Sequence, residues 1–272
     1  MKKKSRQQQV QEFIQQHTEQ AFDLANDVML RIAYLKMAED QGVIIFNMHH
    51  IASDGWSIKV LVDEFVNLYN QLQEGKQQPV LPPLPIQYRD YAVWQRQQLQ
   101  GETLQTDLNY WLTQLNELPP VHDLLLDYSR PLQLGSRGGL VEFRADKPLL
   151  TGLKSLAGQC NTSLFVVLHT AFTLLLARHS QSKDIVVGTP VANRLQAEVE
   201  PLIGFFVNML VLRTHYQPDL TLTEYLSYIR QVNIDAQAHQ SLPFELLVEK
   251  NAAGAERQLF SAVPNRILNG YE

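Results

Sequence analysis

The stretch that most constrains this chain is residues 43–55, V-I-I-F-N-M-H-H-I-A-S-D-G. A short unbroken apolar run, Val43 to Met48, reads as a buried strand. It ends directly on His49 and His50, with Asp54 and Gly55 following. After Gly55 the apolar period changes: Ile58, Leu61, Val62, Phe65, Leu68, Tyr69 and Leu72 fall on one helical face, and the helix ends near Glu74-Gly75. The two histidines therefore stand at a strand end, and the aspartate and glycine turn the chain into a helix. Corners of this kind are a common place for chemistry, because a rigid scaffold holds the loop. Upstream, Val28 to Met37 reads as a strand with Leu30, Ile32, Tyr34 and Leu35 as apolar positions. The turn Glu39-Asp40-Gln41-Gly42 joins it to the next strand as a hairpin.

The rest of the chain alternates helix and strand signals. Residues 7–20 are glutamine-rich but carry Val10, Phe13 and Ile14, an amphipathic helix pattern. Phe22 and Leu24 anchor an irregular stretch. Pro79, Pro82, Pro83 and Pro85 make 76–85 an extended connection. Y-R-D-Y-A-V-W at 88–94 puts Tyr88, Tyr91 and Trp94 on one side of a helix, read as an aromatic core stripe. A further helix covers about 104–116, packing Leu108, Trp111, Leu112 and Leu115. Prolines and glycines between 117 and 139 mark a change in composition, so the chain divides into a first lobe (1–118), a linker (119–139) and a second lobe (140–272). In the second lobe a strand is expected near Leu140–Arg144 and a helix at 148–159. Thr162-Ser163 cap a helix running to Arg178, apolar nearly all round and so expected to be buried at the lobe's centre. Strands are expected at Ile185–Pro190 and Ile203–Arg213. Thr221-Leu-Thr-Glu224 has capping-box spacing and opens a helix to about residue 238.

Composition narrows the function classes. A net charge of −5, from 23 basic and 28 acidic residues, argues against a nucleic-acid binder. The single cysteine, Cys160, cannot form an internal disulfide and fits a reducing compartment. No apolar core follows the basic start M-K-K-K, so Lys2–Lys4 read as a solvated tail rather than the start of a signal peptide. The greasiest segment, Leu164 to Ala177, is too short to span a bilayer. The expectation is a soluble, cytoplasmic protein.

At the 43–55 corner, an imidazole titrates near neutrality, so His50 can accept or position a proton. Asp54 can fix the loop through an ion pair or touch an imidazole directly. Gly55 has no side chain, so a carbonyl can approach the backbone there, and an N–H at the start of the following helix can face developing negative charge. The competing reading is that the histidine pair is structural. Adjacent histidines on an extended backbone point opposite ways and are poorly placed to chelate one metal, so no metal site is expected. There is no H-E-x-x-H, no G-x-S-x-G elbow, and no P-loop or dinucleotide-binding glycine pattern.

With these residues in view, M-H-H-I-A-S-D-G-W-S at 48–57 resembles the H-H-x-x-x-D-G signature of nonribosomal peptide synthetase condensation domains. Y-R-D-Y-A-V-W at 88–94, I-G-F-F-V-N-M-L-V-L-R at 203–213 and H-Q-S-L-P-F-E at 239–245 are similar to the family's later motifs, in order, with Ser241 where an aspartate is usual. G-T-P-V-A-N-R at 188–194 also fits. The wording at 49–57 looks more like the subtype that joins two L-residues. The resemblance implies an α/β (α+β) fold of the chloramphenicol-acetyltransferase-like type, two lobes with a tunnel between them and an incomplete first lobe. It implies amide bond formation between a carrier-bound acyl or peptidyl thioester and the amine of a carrier-bound aminoacyl group. The partners would be carrier proteins and other synthetase modules. The substrates would arrive on phosphopantetheine arms, with no cofactor bound directly. Carried over residue by residue, His50 is the reactive histidine, as base or as positioner of the amine. His49 braces the loop. Asp54 pairs with an arginine, for which Arg194 is one candidate. Gly55 keeps the passage open, and Asn208 shapes the second lobe's side of it. The same motif also fits an ester-forming acyltransferase, or an inactive piece that only binds carriers or sibling synthetase chains.

The family's first two motifs have no counterpart before Phe22, and its last has a faint likeness at Arg257–Leu268. The expectation is a piece of a condensation domain. Lacking neighbouring strands and helices, it would expose sheet edges and apolar faces and be marginal or aggregation-prone alone.

Overall fold

The computed structural model describes residues 5–118, 123–128, 141–142 and 144–251. Contacts group the chain into two units, Met1–Gln95 with Arg194–Val207, and Arg96–Asn193 with Asn208–Glu272.

The first unit is built on a hairpin. β1 (Leu30–Lys36) pairs antiparallel with β2 (Gly42–Met48), in a register that sets Leu30 opposite Met48 and Lys36 opposite Gly42. The turn closes through Met37 and Ala38 N–H groups donating to the Gln41 carbonyl. Helix α1 (Arg6–Thr18) opens with a Ser5/Gln8 capping box and lies against the hairpin. Its carbonyl at His17 accepts the Asn47 amide, and Arg6 donates to the Met37 carbonyl. Helix α2 (Gly55–Gln73) is capped by Asp54, whose carboxylate accepts the Ser57 N–H. Helix α3 (Tyr88–Gln98) begins in this unit, and its Tyr91 packs with Val199, Leu202 and Phe206 into a small buried core.

Two expectations change here. The strand Val43–Met48 is half-buried rather than buried. The apolar positions Ile32 and Tyr34 are the outward side of β1, each 60% exposed, and the α2 stripe is largely open, with Tyr69 at 52% and Leu72 at 53%. Period predicts which residues share a face, but burial needs a second layer to cover that face. Surfaces of this kind favour association. The isolated chain is therefore expected to self-associate, and Tyr69→Lys with Leu72→Lys to raise its monomer fraction. Light scattering after size exclusion checks this; a monodisperse wild-type monomer contradicts it.

The second unit packs helices on another antiparallel pair. β3 (Asp184–Val191) and β4 (Asn208–His215) run with Asp184 opposite His215 and Val191 opposite Asn208. Arg213 grips Asp184 in a two-bond fork and donates to the carbonyls of Gln114 and Asn116, tying the end of helix α4 (Gly101–Gln114) to the sheet. α4 buries Leu108 and Trp111 with Leu210, Leu212, Leu242 and Leu247, so it groups with this unit although it precedes residue 118. Helices α5 (Lys147–Gln159) and α6 (Leu164–Ser180) meet at 104°. With α7 (Leu222–Ala238), they close a core of Ala157, Val166, Val167, Tyr225, Leu226 and Ile229. α7 has the capping box read from Thr221 and Glu224, and α8 (Phe244–Asn251) follows.

α6 is not buried all round: Leu168 and Leu175 are exposed, while the buried face carries His169, Thr170 and Thr173. The hydroxyls of Thr170 and Thr173 bond back to carbonyls of their own helix, which lets them sit in the core. Of the strand expected at Leu140–Arg144, the described residues 141, 142 and 144 are in no strand. Of the linker 119–139, the described residues 123–128 have neither helix nor strand. The tail at Lys2–Lys4, the remainder of the linker and the Arg257–Leu268 likeness lie outside the described residues. Among those described, no single helix is long and apolar enough to cross a membrane.

Candidate active site

His49 and His50 leave the end of β2 and enter a single turn of 3₁₀ helix, His50–Ala52, before α2 starts. Their rings serve different partners. His49 caps the turn: its Nδ1 accepts the Ile51 N–H at 3.0 Å, and its ring lies edge-on to Phe22 at 5.7 Å. His50 is exposed, and its Nδ1 lies 2.6 Å from the Ser53 carbonyl. A carbonyl only accepts, so Nδ1 donates, and in the neutral ring Nε2 carries the free lone pair. The ring also meets Phe205 edge-on at 5.3 Å. Among the described residues no group of three metal-ligating side chains forms.

Asp54 does not touch His50 through any of its hydrogen bonds among the described residues. It is 4% exposed, and both its oxygens are engaged. Oδ1 accepts from the Ser57 N–H (2.8 Å) and Arg194 Nη2 (3.1 Å) and lies 2.7 Å from the Ser57 hydroxyl. Oδ2 accepts from the Phe206 N–H (3.1 Å) and Arg194 Nη2 (3.3 Å). The Arg194 side chain is 1% exposed. Its Nη1 donates to the carbonyls of Val199 (2.6 Å) and Leu202 (2.7 Å), and its guanidinium lies 4.0 Å over the Phe206 ring. One guanidinium thus folds the 194–207 segment around itself and ties it to the start of α2. Gly55, the first residue of α2, is exposed.

The segment 203–207, expected as the beginning of a strand, is not in one; β4 starts at Asn208. The reason is visible in its backbone partners. The Gly204 N–H donates to Ser57 Oγ (3.0 Å), which in turn lies 2.9 Å from the Gly204 carbonyl. The Phe205 carbonyl accepts the Tyr88 hydroxyl (2.7 Å), and Trp56 Nε1 donates to the Glu200 carbonyl. Side chains satisfy groups that a ladder would otherwise satisfy. Gly204 is needed for the approach, since a Cβ there would fall 2.2 Å from the Tyr88 ring. Of the stripe read at 88–94 only Tyr91 is core; Tyr88 and Trp94 are exposed, and the Tyr88 hydroxyl instead holds this segment. Burial, aided by the Asp54 charge, raises its hydroxyl pKa above the usual value.

His49, His50, Asp54, Gly55 and Arg194 all fall in the first unit. Asn208 belongs to the second. There its amide nitrogen donates to the Gln240 and Leu242 carbonyls, and its oxygen accepts the Phe244 N–H, so it clamps the turn of the 239–245 motif. His239 in that motif is held by Asp107 at 2.7 Å and stacks on Tyr110 at 4.0 Å. The sequence marks Tyr88 only as part of an aromatic core stripe and does not single out Ser57. Ser57 belongs to the quoted 48–57 motif, and its place three residues past a capping aspartate was the available signal.

Solved structures share this fold. The X-domain from teicoplanin biosynthesis superposes with a TM-score of 0.83 at 24% identity, over 93% of this chain and 57% of that one. The first condensation domain of the calcium-dependent antibiotic synthetase gives 0.73 at 19%, over 91% and 54%. The architecture is therefore the chloramphenicol-acetyltransferase-like class, carrying an H-H-x-x-x-D-G corner. The chain belongs to the condensation-domain family, whose model, "Condensation domain", matches residues 1–264. Tyrocidine synthase 3 of Brevibacillus parabrevis is 41% identical over 231 residues, 85% of this chain. The chain spans 4% of that relative's length.

Proposed function

We propose that this chain performs condensation chemistry, forming an amide between two carrier-bound groups. The amine of an aminoacyl thioester attacks the carbonyl of an acyl or peptidyl thioester. A C–N bond forms and a C–S bond breaks. The amine gives up a proton, and the donor arm is released as a thiol. Both substrates arrive on phosphopantetheine arms of carrier proteins, which with neighbouring synthetase modules are the expected partners.

The observation that carries this reading is the exposed His50 ring, with Nδ1 engaged by the Ser53 carbonyl and Nε2 left as acceptor. Nε2 holds the attacking amine and takes its proton. A thioester is already activated, so holding amine and carbonyl in reach supplies much of the acceleration. His49 keeps the turn closed. Asp54 is saturated by Ser57, Phe206 and Arg194, which supports a structural role over a proton relay. Gly55 leaves the backbone at the start of α2 open to a carbonyl. Asn208 steadies the 239–245 turn.

The test supplies two loaded carrier proteins and follows amide product. Wild type is expected to turn over, and His50→Ala to lower the rate by about 10²–10⁴-fold. Equal rates would remove His50 from the reaction. Carrier binding without product from the wild type would favour a binding-only role, and product with alcohol acceptors would favour ester formation.

A further inference from the structure

We infer that Ser57 is a positioning residue for the His50 imidazole, acting through the Ser53 carbonyl and the Phe205 ring. The inference takes from the proposed function only that His50 is the reacting side chain. The ring has a polar support, the Ser53 carbonyl, and an apolar one, the Phe205 ring. Each support neighbours a residue that Ser57 holds. Asp54 follows Ser53, and its Oδ1 is 2.7 Å from Ser57 Oγ. Gly204 precedes Phe205, and its N–H and carbonyl are 3.0 and 2.9 Å from the same oxygen.

The hydroxyl is fully buried, and its valence is filled. It has two acceptor sites and one proton. The N–H groups of Gly204 and Arg194 (3.0 Å) occupy the acceptor sites. The proton goes to either Asp54 or the Gly204 carbonyl. Ser57 is the third residue of α2, where a capping box would place a glutamate or glutamine reaching back to the cap's own N–H. The shorter serine side chain instead reaches a segment 147 residues away. This oxygen therefore joins the turn that presents His50 to the segment that walls it, beside the Asp54–Phe206 and Asp54–Arg194 bonds. Alanine leaves the Gly204 N–H without its acceptor and removes the direct link between the two supports, while Asp54 keeps the Ser57 and Phe206 N–H groups.

The experiment reads the His50 imidazole nitrogens by ¹⁵N NMR in the full chain, so it does not depend on turnover. Wild type is expected to give the Nδ1–H tautomer. Ser57→Ala is expected to lose that single form to the Nε2–H tautomer, and Ser57→Thr, which keeps the hydroxyl, to restore it. Leu84→Ala weakens the small core of Tyr91, Val199, Leu202 and Phe206 but removes no hydrogen bond of Asp54 or Gly204, and is expected to leave the His50 signals in place. Wild-type His50 signals in Ser57→Ala, or an equal change in Leu84→Ala, would overturn the inference. If Ser57→Ala does not fold, Ser57→Cys fills the site with a somewhat larger but weaker hydrogen-bonding group. Unchanged His50 signals in that folded variant would overturn it equally. A chain that makes no amide yet has a Ser57-dependent tautomer would fail the proposed function alone.

Discussion

Arg194→Met is expected to lower stability by about 3–5 kcal/mol, the usual cost of leaving one partner of a buried ion pair alone. The Asp54 carboxylate would stay 4% exposed with its cation gone, keeping only the Ser57 and Phe206 donors. The carbonyls of Val199 and Leu202 would lose their shared donor in the same step. The 194–207 segment is held by that guanidinium more than by backbone pairing, so its fold should loosen first. Chemical denaturation followed by tryptophan fluorescence checks the loss, since Trp56 bonds to this segment at Glu200. Adding Asp54→Asn to Arg194→Met removes the orphaned charge, so the double variant should lose less than the two single losses added together. Strict additivity, or an unchanged midpoint in Arg194→Met, would show that the pair is not what holds the corner.

The second large effect concerns pH. His169 is fully buried on α6, where its Nδ1 accepts from Asn233 Nδ2 at 3.0 Å and its ring faces Phe165. Burial lowers its pKa from the ordinary 6.5 to about 4. Between those values the unfolded chain binds a proton that the folded chain refuses. Stability contributed by the neutral ring is thus intact above pH 6.5 and is lost as pH falls toward about 4. At about 1.4 kcal/mol per pH unit the full loss is about 3 kcal/mol. His169→Leu should flatten this part of the stability profile relative to wild type. Asn233 would not be stranded by the change, because its amide also donates to the Ile229 carbonyl at 2.7 Å. Parallel wild-type and variant profiles from pH 7 to about 4 would place the acid sensitivity elsewhere.

Much of the fold was legible because its signals are local. The β1–β2 hairpin followed from two apolar runs and a polar turn, and α7 from a threonine and a glutamate three residues apart. Asp54 at the head of α2 followed from the change of period after it. The errors lie where a residue's surroundings come from elsewhere in the chain. Ile203–Val207 has the composition of a strand, yet Ser57, Asp54 and Tyr88 take its backbone groups. α6 reads as apolar nearly all round and so buried, yet its core face holds the histidine and two threonines, and Leu168 and Leu175 face outward.

The strand–turn–helix corner, the order of the motifs and the family they belong to could all be read from the residues alone, since caps, periods and motif spacing act over a few positions. Which arginine meets Asp54, that the hydrogen bonds of the aspartate go to Ser57, Phe206 and Arg194, and that Ser57 joins Asp54 to Gly204 became visible only in three dimensions. The Asp54–Arg194 and Ser57–Gly204 partners lie 140 and 147 residues apart along the chain. No local period encodes such a distance; packing selects the partner, because a buried carboxylate or hydroxyl left without one is too costly to keep.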